Sequence, residues 1–242
     1  MKHHNKSQRL LFFCGLAYTL CLFGILGIST DIMGKRGVDK TDTVEEAVRF
    51  IDSSAKEEAP KIALTFDDGP NAQCTGRLLD GLKERGVKAT FFLIGANAEE
   101  NPELVKRLHE EGHLIGNHTY HHVDITKKSE DEAKKEIEDT DKVISAITGE
   151  HVAYMRPPFG VWQKDLELEM EVMPVMWSID PLDWTTKNTD EIVNKVVTEA
   201  GENDIILLHD CYESSVDAAL RIVDILKEEG FEFVTADRLI ID

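Results

Sequence analysis

From Lys61 onward, short apolar runs alternate with helix-length amphipathic segments, and few folds satisfy that alternation. Runs at 61–66, 89–94, 113–116, 152–155, 172–178, 204–209 and 231–235 read as strands. Segments 74–86, 102–111, 129–148, 161–170, 189–200 and 214–229 carry helical spacing. Ser129-Glu130-Asp131-Glu132 is a capping box that opens the longest of these, and Gly86 and Gly230 stand where helix C-caps are expected. Strands with continuous apolar runs need cover on both faces, which predicts a parallel sheet wrapped by helices. About seven such strands predict an α/β chain folded as a distorted (β/α) barrel rather than an open sheet.

Five polar clusters sit where the apolar runs stop. They are Thr65-Phe66-Asp67-Asp68-Gly69-Pro70, His118-Thr119-Tyr120-His121-His122, Arg156-Pro157-Pro158-Phe159-Gly160, Asp180-Pro181-Leu182-Asp183-Trp184 and Leu207-Leu208-His209-Asp210. In a (β/α) barrel the carboxyl ends of the strands build the active site, so these clusters converge if the fold is right. His118 and His122 are four apart, and one helical turn or a compact loop aims both imidazoles at one point. Two His and one carboxylate form a catalytic metal set, with Asp68 the candidate third ligand. His121 is the alternative to His122. Asp67 and Asp68 point to opposite sides of an extended chain unless the Gly69-Pro70 turn bends it. In isolation, Asp-Asp-Gly-Pro reads as a plain turn. His109, His113 and His151 lack such company and read as surface or core residues, and His3 with His4 is too small a group for a metal.

The N-terminal segment is different in kind. Lys2, Lys6 and Arg9 precede an uncharged run at 10–28, and nineteen residues at ~1.5 Å each make one membrane crossing. With no small-x-small cleavage site after it, an uncleaved transmembrane anchor is expected over a signal peptide. The preceding charges place 1–9 in the cytoplasm and the rest outside the cell membrane, an argument that Lys35 and Arg36 weaken. Residues 29–59 read as a stem, with a short helix around Val44, Val48 and Ile51, leading to a catalytic domain at 60–242. Residues 1–59 hold eight basic and eight acidic groups, so the whole net charge of −19 falls on the domain. A domain that acidic has no electrostatic reason to bind nucleic acid. Cys14 and Cys21 lie in the uncharged run. Cys74 and Cys211 each follow a polar cluster and form either a disulfide outside the cell or two unpaired thiols.

All five clusters, in this order, resemble the motifs of the polysaccharide deacetylase family (carbohydrate esterase family 4) across residues 61–240. The resemblance implies a metal-dependent hydrolase of linear amides that removes acetyl groups from a polysaccharide. Carried over residue by residue, Asp67 is the general base, and Asp68, His118 and His122 hold Zn2+ or another divalent transition metal such as Co2+. Arg156 orients the base, His209 is the general acid and Asp183 tunes it. The Phe159 amide is the oxyanion donor, Trp184 and Leu207 wall the acetyl pocket, and Tyr212 is placed to touch substrate. Phe159 departs from the tyrosine of many relatives, and Cys211-Tyr212 lies where the family varies. The expected substrate is the N-acetylglucosamine of cell-wall peptidoglycan, with a monomeric enzyme as the expected state. Rival expectations are a chitooligosaccharide deacetylase, an acetyl xylan esterase, a non-catalytic glycan-binding module or a cytoplasmic amidase of small cyclic substrates.

Overall fold

A computed structural model describes residues 58–162 and 171–240. The anchor at 10–28, nearly all of the stem and most of the helix expected at 161–170 therefore lie outside the described residues. Among those described, no helix is long and apolar enough to cross a membrane.

Among the described residues seven strands form one all-parallel sheet: β1 (Lys61–Asp67), β2 (Thr90–Leu93), β3 (Leu114–Asn117), β4 (Tyr154–Met155), β5 (Met173–Pro174), β6 (Ile205–His209) and β7 (Glu232–Val234). The order is β5-β4-β3-β2-β1-β6, with β7 paired to the start of β1 through Lys61–Ala63. The sheet curls into a half-barrel. One segment spans its two edges: Val175 donates to the Met155 carbonyl at 2.8 Å, while Ser178 donates to that of Ile205 at 2.9 Å. The strands at 152–155 and 172–178 shorten to two residues each. Pro157, Pro158 and Pro174 have no N–H to give a ladder, which limits both.

Among the described residues seven helices accompany the sheet: α1 (Thr75–Glu84), α2 (Gly95–Glu100), α3 (Pro102–Glu110), α4 (Glu130–Thr148), α5 (Thr189–Glu199), α6 (Glu213–Glu228) and α7 (Asp237–Ile240). The short α2 and α7 span too few residues for a sequence period to show. Gly86 and Gly230 adopt positive φ of 65° and 94°, as helix-terminating residues should. The capping box is formed: Ser129 N–H donates to Glu132 Oε2 at 3.0 Å, and Ser129 Oγ accepts from Glu132 N–H at 3.4 Å. Ser129→Ala is expected to lower unfolding free energy by about 1 kcal/mol, read from the denaturation midpoint. An unchanged midpoint would show that packing alone holds this end of α4.

Strand periodicity decides what each face of the sheet does. In β1, Ile62, Leu64 and Phe66 join the main core with Leu78, Leu79 and Leu82 of α1 and Ile222, Val223 and Leu226 of α6. Phe66 also stacks on Phe91 at 5.0 Å. The alternate residues Ala63, Thr65 and Asp67 face the concave side, where a smaller cluster holds Ala63, Phe92, Val175 and Ala236. Register then levels the strand ends. Asp67 pairs with His209 of β6 and with Phe92 of β2, and Asn117 pairs with Leu93 and Met155. The five polar clusters thus emerge at one rim.

Candidate active site

At the end of β1 the chain turns at Asp68, which takes a left-handed φ of 72°. That reversal, uncommon for a non-glycine residue, lets adjacent carboxylates border the same cavity. The turn is pinned by Asn97 Nδ2 donating to the Asp68 carbonyl at 2.8 Å and by Ile94 N–H donating to that of Gly69 at 3.0 Å. A Cβ on Gly69 would meet both carboxylate oxygens of Asp210 at 2.5 Å, so only glycine fits there.

A compact loop, not a helical turn, follows β3. Thr119 and His122 both adopt positive φ, 63° and 53°, and Asn117 Oδ1 accepts from Thr119 N–H at 2.9 Å to hold the reversal. The His118 and His122 rings come to 4.9 Å between centroids. His118 Nδ1–H donates to the Arg156 carbonyl at 2.6 Å, which leaves a lone pair on Nε2. His118 Nε2 and His122 Nε2 each lie 3.4 Å from Asp68 Oδ1, and one ligand atom from each residue falls within 4.8 Å of the others. Asp68 Oδ1 is buried without a hydrogen-bond partner among the described residues. Burial pushes the Asp68 carboxyl up, but the closeness of His118, with His209 and His122 behind it, prevails and holds it below its ordinary value. Burial, reinforced by His118, pulls His122 down toward the neutral imidazole. Ligand atoms about 2.0–2.2 Å from one tetrahedral ion stand roughly 3.4 Å apart. The donor set fits a divalent cation of the zinc or cobalt type. His121 is excluded from the set, because its ring is turned to Glu136 at 2.9 Å.

Beside this cluster lies Arg156, fully buried. Its Nη1 donates to Asp67 Oδ1 and to Thr65 Oγ1, both at 2.8 Å, and its Nε donates to the Val175 carbonyl at 3.0 Å. The guanidinium also sits over the Phe92 ring at 4.3 Å. A charge this deep is tolerable only because a carboxylate and several oxygens meet it. Asp67 is thereby fixed with Oδ2 3.8 Å from His118 Nε2.

His209 ends β6. Its Nδ1–H donates to Asp183 Oδ1 and its backbone N–H to Asp183 Oδ2, each at 2.8 Å. Burial alone would depress this imidazole. The hydrogen bond and charge of buried Asp183, with Asp67 and Asp68 behind it, hold it up to about 9. A cavity of about 360 Å³ joins these groups, lined by Asp67, Asp68, His118, His122 and His209 together with Phe159, Trp184, Leu207 and Tyr212. Phe159 takes φ 62° and sets its exposed ring 4.9 Å from that of His122.

The family model for polysaccharide deacetylase matches residues 54–176. The chain belongs to the polysaccharide deacetylase family. It is 42% identical over 182 residues to a peptidoglycan-N-acetylglucosamine deacetylase of Bacillus cereus, covering 72% of this chain and 66% of that one. To the peptidoglycan-N-acetylmuramic acid deacetylase PdaC of Bacillus subtilis it is 40% identical, over 74% of this chain but 38% of the relative. The solved structure of PdaC superposes with a TM-score of 0.72 over 75% of this chain and 90% of the solved one. A chitooligosaccharide deacetylase of Rhizobium leguminosarum is 38% identical over 70% of this chain and 87% of its own length.

Every site residue expected from the family motifs falls within this one assembly. Three cavity residues, Pro157, Trp177 and Asp180, stand in or beside those motifs, yet nothing in the sequence pointed them inward. Asp210, outside the cavity lining, also went unmarked by the sequence. It is fully buried behind the Asp68 turn, accepts from Thr75 Oγ1 at 2.5 Å, and is pushed up to about 7 by burial. Cys74 and Cys211 are free thiols, the second of the two alternatives left open by their spacing.

Proposed function

We propose that this chain is a metal-dependent deacetylase that hydrolyses the N-acetyl group of N-acetylglucosamine in peptidoglycan, releasing acetate and leaving a free amine. The observation that carries this reading is the pairing across one cavity of an arginine-held carboxylate, Asp67, and an aspartate-held imidazolium, His209, with the Asp68-His118-His122 set beside them. Asp68, His118 and His122 would hold the cation, which when bound supplies Lewis-acid polarisation and lowers the pKa of water to about 7. Asp67, oriented by Arg156, accepts the proton of the attacking water. The Phe159 amide N–H has no backbone partner among the described residues and is available to the developing oxyanion. His209 gives its Nε2 proton to the departing amine, which leaves poorly as an anion, while Asp183 keeps that proton in place below pH ~9. Leu207 and Trp184 wall the space for the acetyl methyl. The uncharged run at 10–28 and its flanking charges support a membrane-anchored domain facing the cell wall.

Acetate release by the zinc-loaded full-length chain tests this reading. Release from N-acetylated peptidoglycan is expected to exceed release from chitooligosaccharides and acetylated xylan. A chelator should abolish it, and zinc or cobalt should restore it. Metal-independent release, or preference for the xylan ester, would overturn the proposal.

A further inference from the structure

Three carboxylates line the cavity, and two of them are matched. Asp67 is bonded to Arg156, and Asp68 faces His118 and His122. Asp180 has no ion-pair partner among the described residues. Its position is nonetheless rigid. Asp180 Oδ1 accepts from Leu182 N–H at 2.8 Å, across a turn in which Leu182 takes a left-handed φ of 57°. On its other side, the Ile179 carbonyl accepts from Leu207 N–H of β6 at 2.9 Å. Trp177 and Trp184 border the same cavity; Asp180 and Trp177 are half-buried, and Trp184 is exposed. A fixed, unpaired, half-desolvated carboxylate accepts hydrogen bonds from hydroxyls well and repels another anion strongly.

We propose that Asp180 is a specificity-determining residue. It accepts hydrogen bonds from the hydroxyls of a neutral amino sugar and turns away a ring that bears its own carboxylate. The inference rests on the deacetylase reading above and divides the two sugars of wall strands freed of their stem peptides. N-acetylglucosamine offers a free hydroxyl at C-3, whereas N-acetylmuramic acid carries a lactyl ether there with a carboxyl group. Family membership leaves the choice open, since one relative is named for each sugar. A cavity of about 360 Å³ has a width comparable to the ~8 Å screening length at physiological ionic strength, so a carboxylate on a bound ring is within range of Asp180. At an effective dielectric near 20, that repulsion corresponds to roughly ten- to fifty-fold in kcat/KM.

The test uses the zinc-loaded full-length chain on linear strands of alternating N-acetylglucosamine and N-acetylmuramic acid, stripped of peptide so that the lactyl carboxylates are free. Mass spectrometry after digestion to disaccharides locates each lost acetyl group. The parent is expected to deacetylate glucosamine over muramic acid, with a preference that shrinks as ionic strength rises. Asp180→Asn keeps the oxygen that accepts from Leu182 and should move the ratio toward muramic acid by at least about tenfold. Its ratio should also lose the salt dependence, which a merely structural role would not explain. An unchanged ratio in active Asp180→Asn, or a parent that prefers muramic acid, would overturn the assignment alone. No acetate from either sugar would overturn the deacetylase reading and the assignment with it.

Discussion

Asp67→Asn is expected to lower acetate release by about 10²–10⁴-fold, the range that a positioned general base contributes. The amide is nearly isosteric, and its oxygen can still accept from Arg156 Nη1, so the rim keeps its shape. What the variant loses is the carboxylate oxygen, 3.8 Å from His118 Nε2, that is able to take a proton from water. Asp68, His118 and His122, the proposed ligands, are untouched, so zinc stoichiometry should stay at one per chain by elemental analysis. The loss should appear in kcat more than in KM, because substrate is held by other walls of the cavity. Release within tenfold of the parent, with metal bound, would mean that Asp67 is not the base. The buried guanidinium would also lose its counter-charge, so a lowered midpoint of unfolding is expected alongside.

The strand pattern made the architecture legible, and the motif order made the site legible, for different physical reasons. In β1, Ile62, Leu64 and Phe66 announce a buried face by their spacing, and Asp67-Asp68 announce the end of burial. What the spacing cannot carry is direction. Asp68, Thr119, His122, Phe159 and Leu182 all adopt positive φ without being glycine, and those reversals bring the side chains together. Such residues are rare in the left-handed region, so sequence pattern gives no warning of them. Arg156 is the other case. Arginine is almost never fully buried unless paired, and here its partner Asp67 lies 89 residues away in the chain. The family motif supplied its role, but its place inside the curl of the sheet needed the fold. Asp180 and Asp210 were in plain view within the motifs. Only the cavity outline and the 2.5 Å bond from Thr75 distinguish them from ordinary loop aspartates.

His209→Ala should separate two kinds of leaving group. An amine must be protonated to depart, so the variant is expected to lose about 10²–10⁴-fold on N-acetyl substrates. A phenolate departs unaided, and hydrolysis of an aryl acetate in the same cavity should fall by less than about tenfold. Equal losses on both would assign His209 a role in binding or folding rather than proton donation. The pH profile gives an independent reading. Because the folded imidazolium is held up to about 9 against an ordinary 6.5, the acid form is present below about pH 9 and is lost above it. Amide hydrolysis should therefore fall above pH ~9. The same displacement means that protonated His209 stabilises the fold fully below pH 6.5, and that this contribution fades as pH rises through about 9. Asp183→Asn removes the charge that opposes burial, so the alkaline limb should move to lower pH. A limb that stays in place in that variant would show that the titration belongs to another group, and the pairing of Asp183 with His209 would then be geometric only.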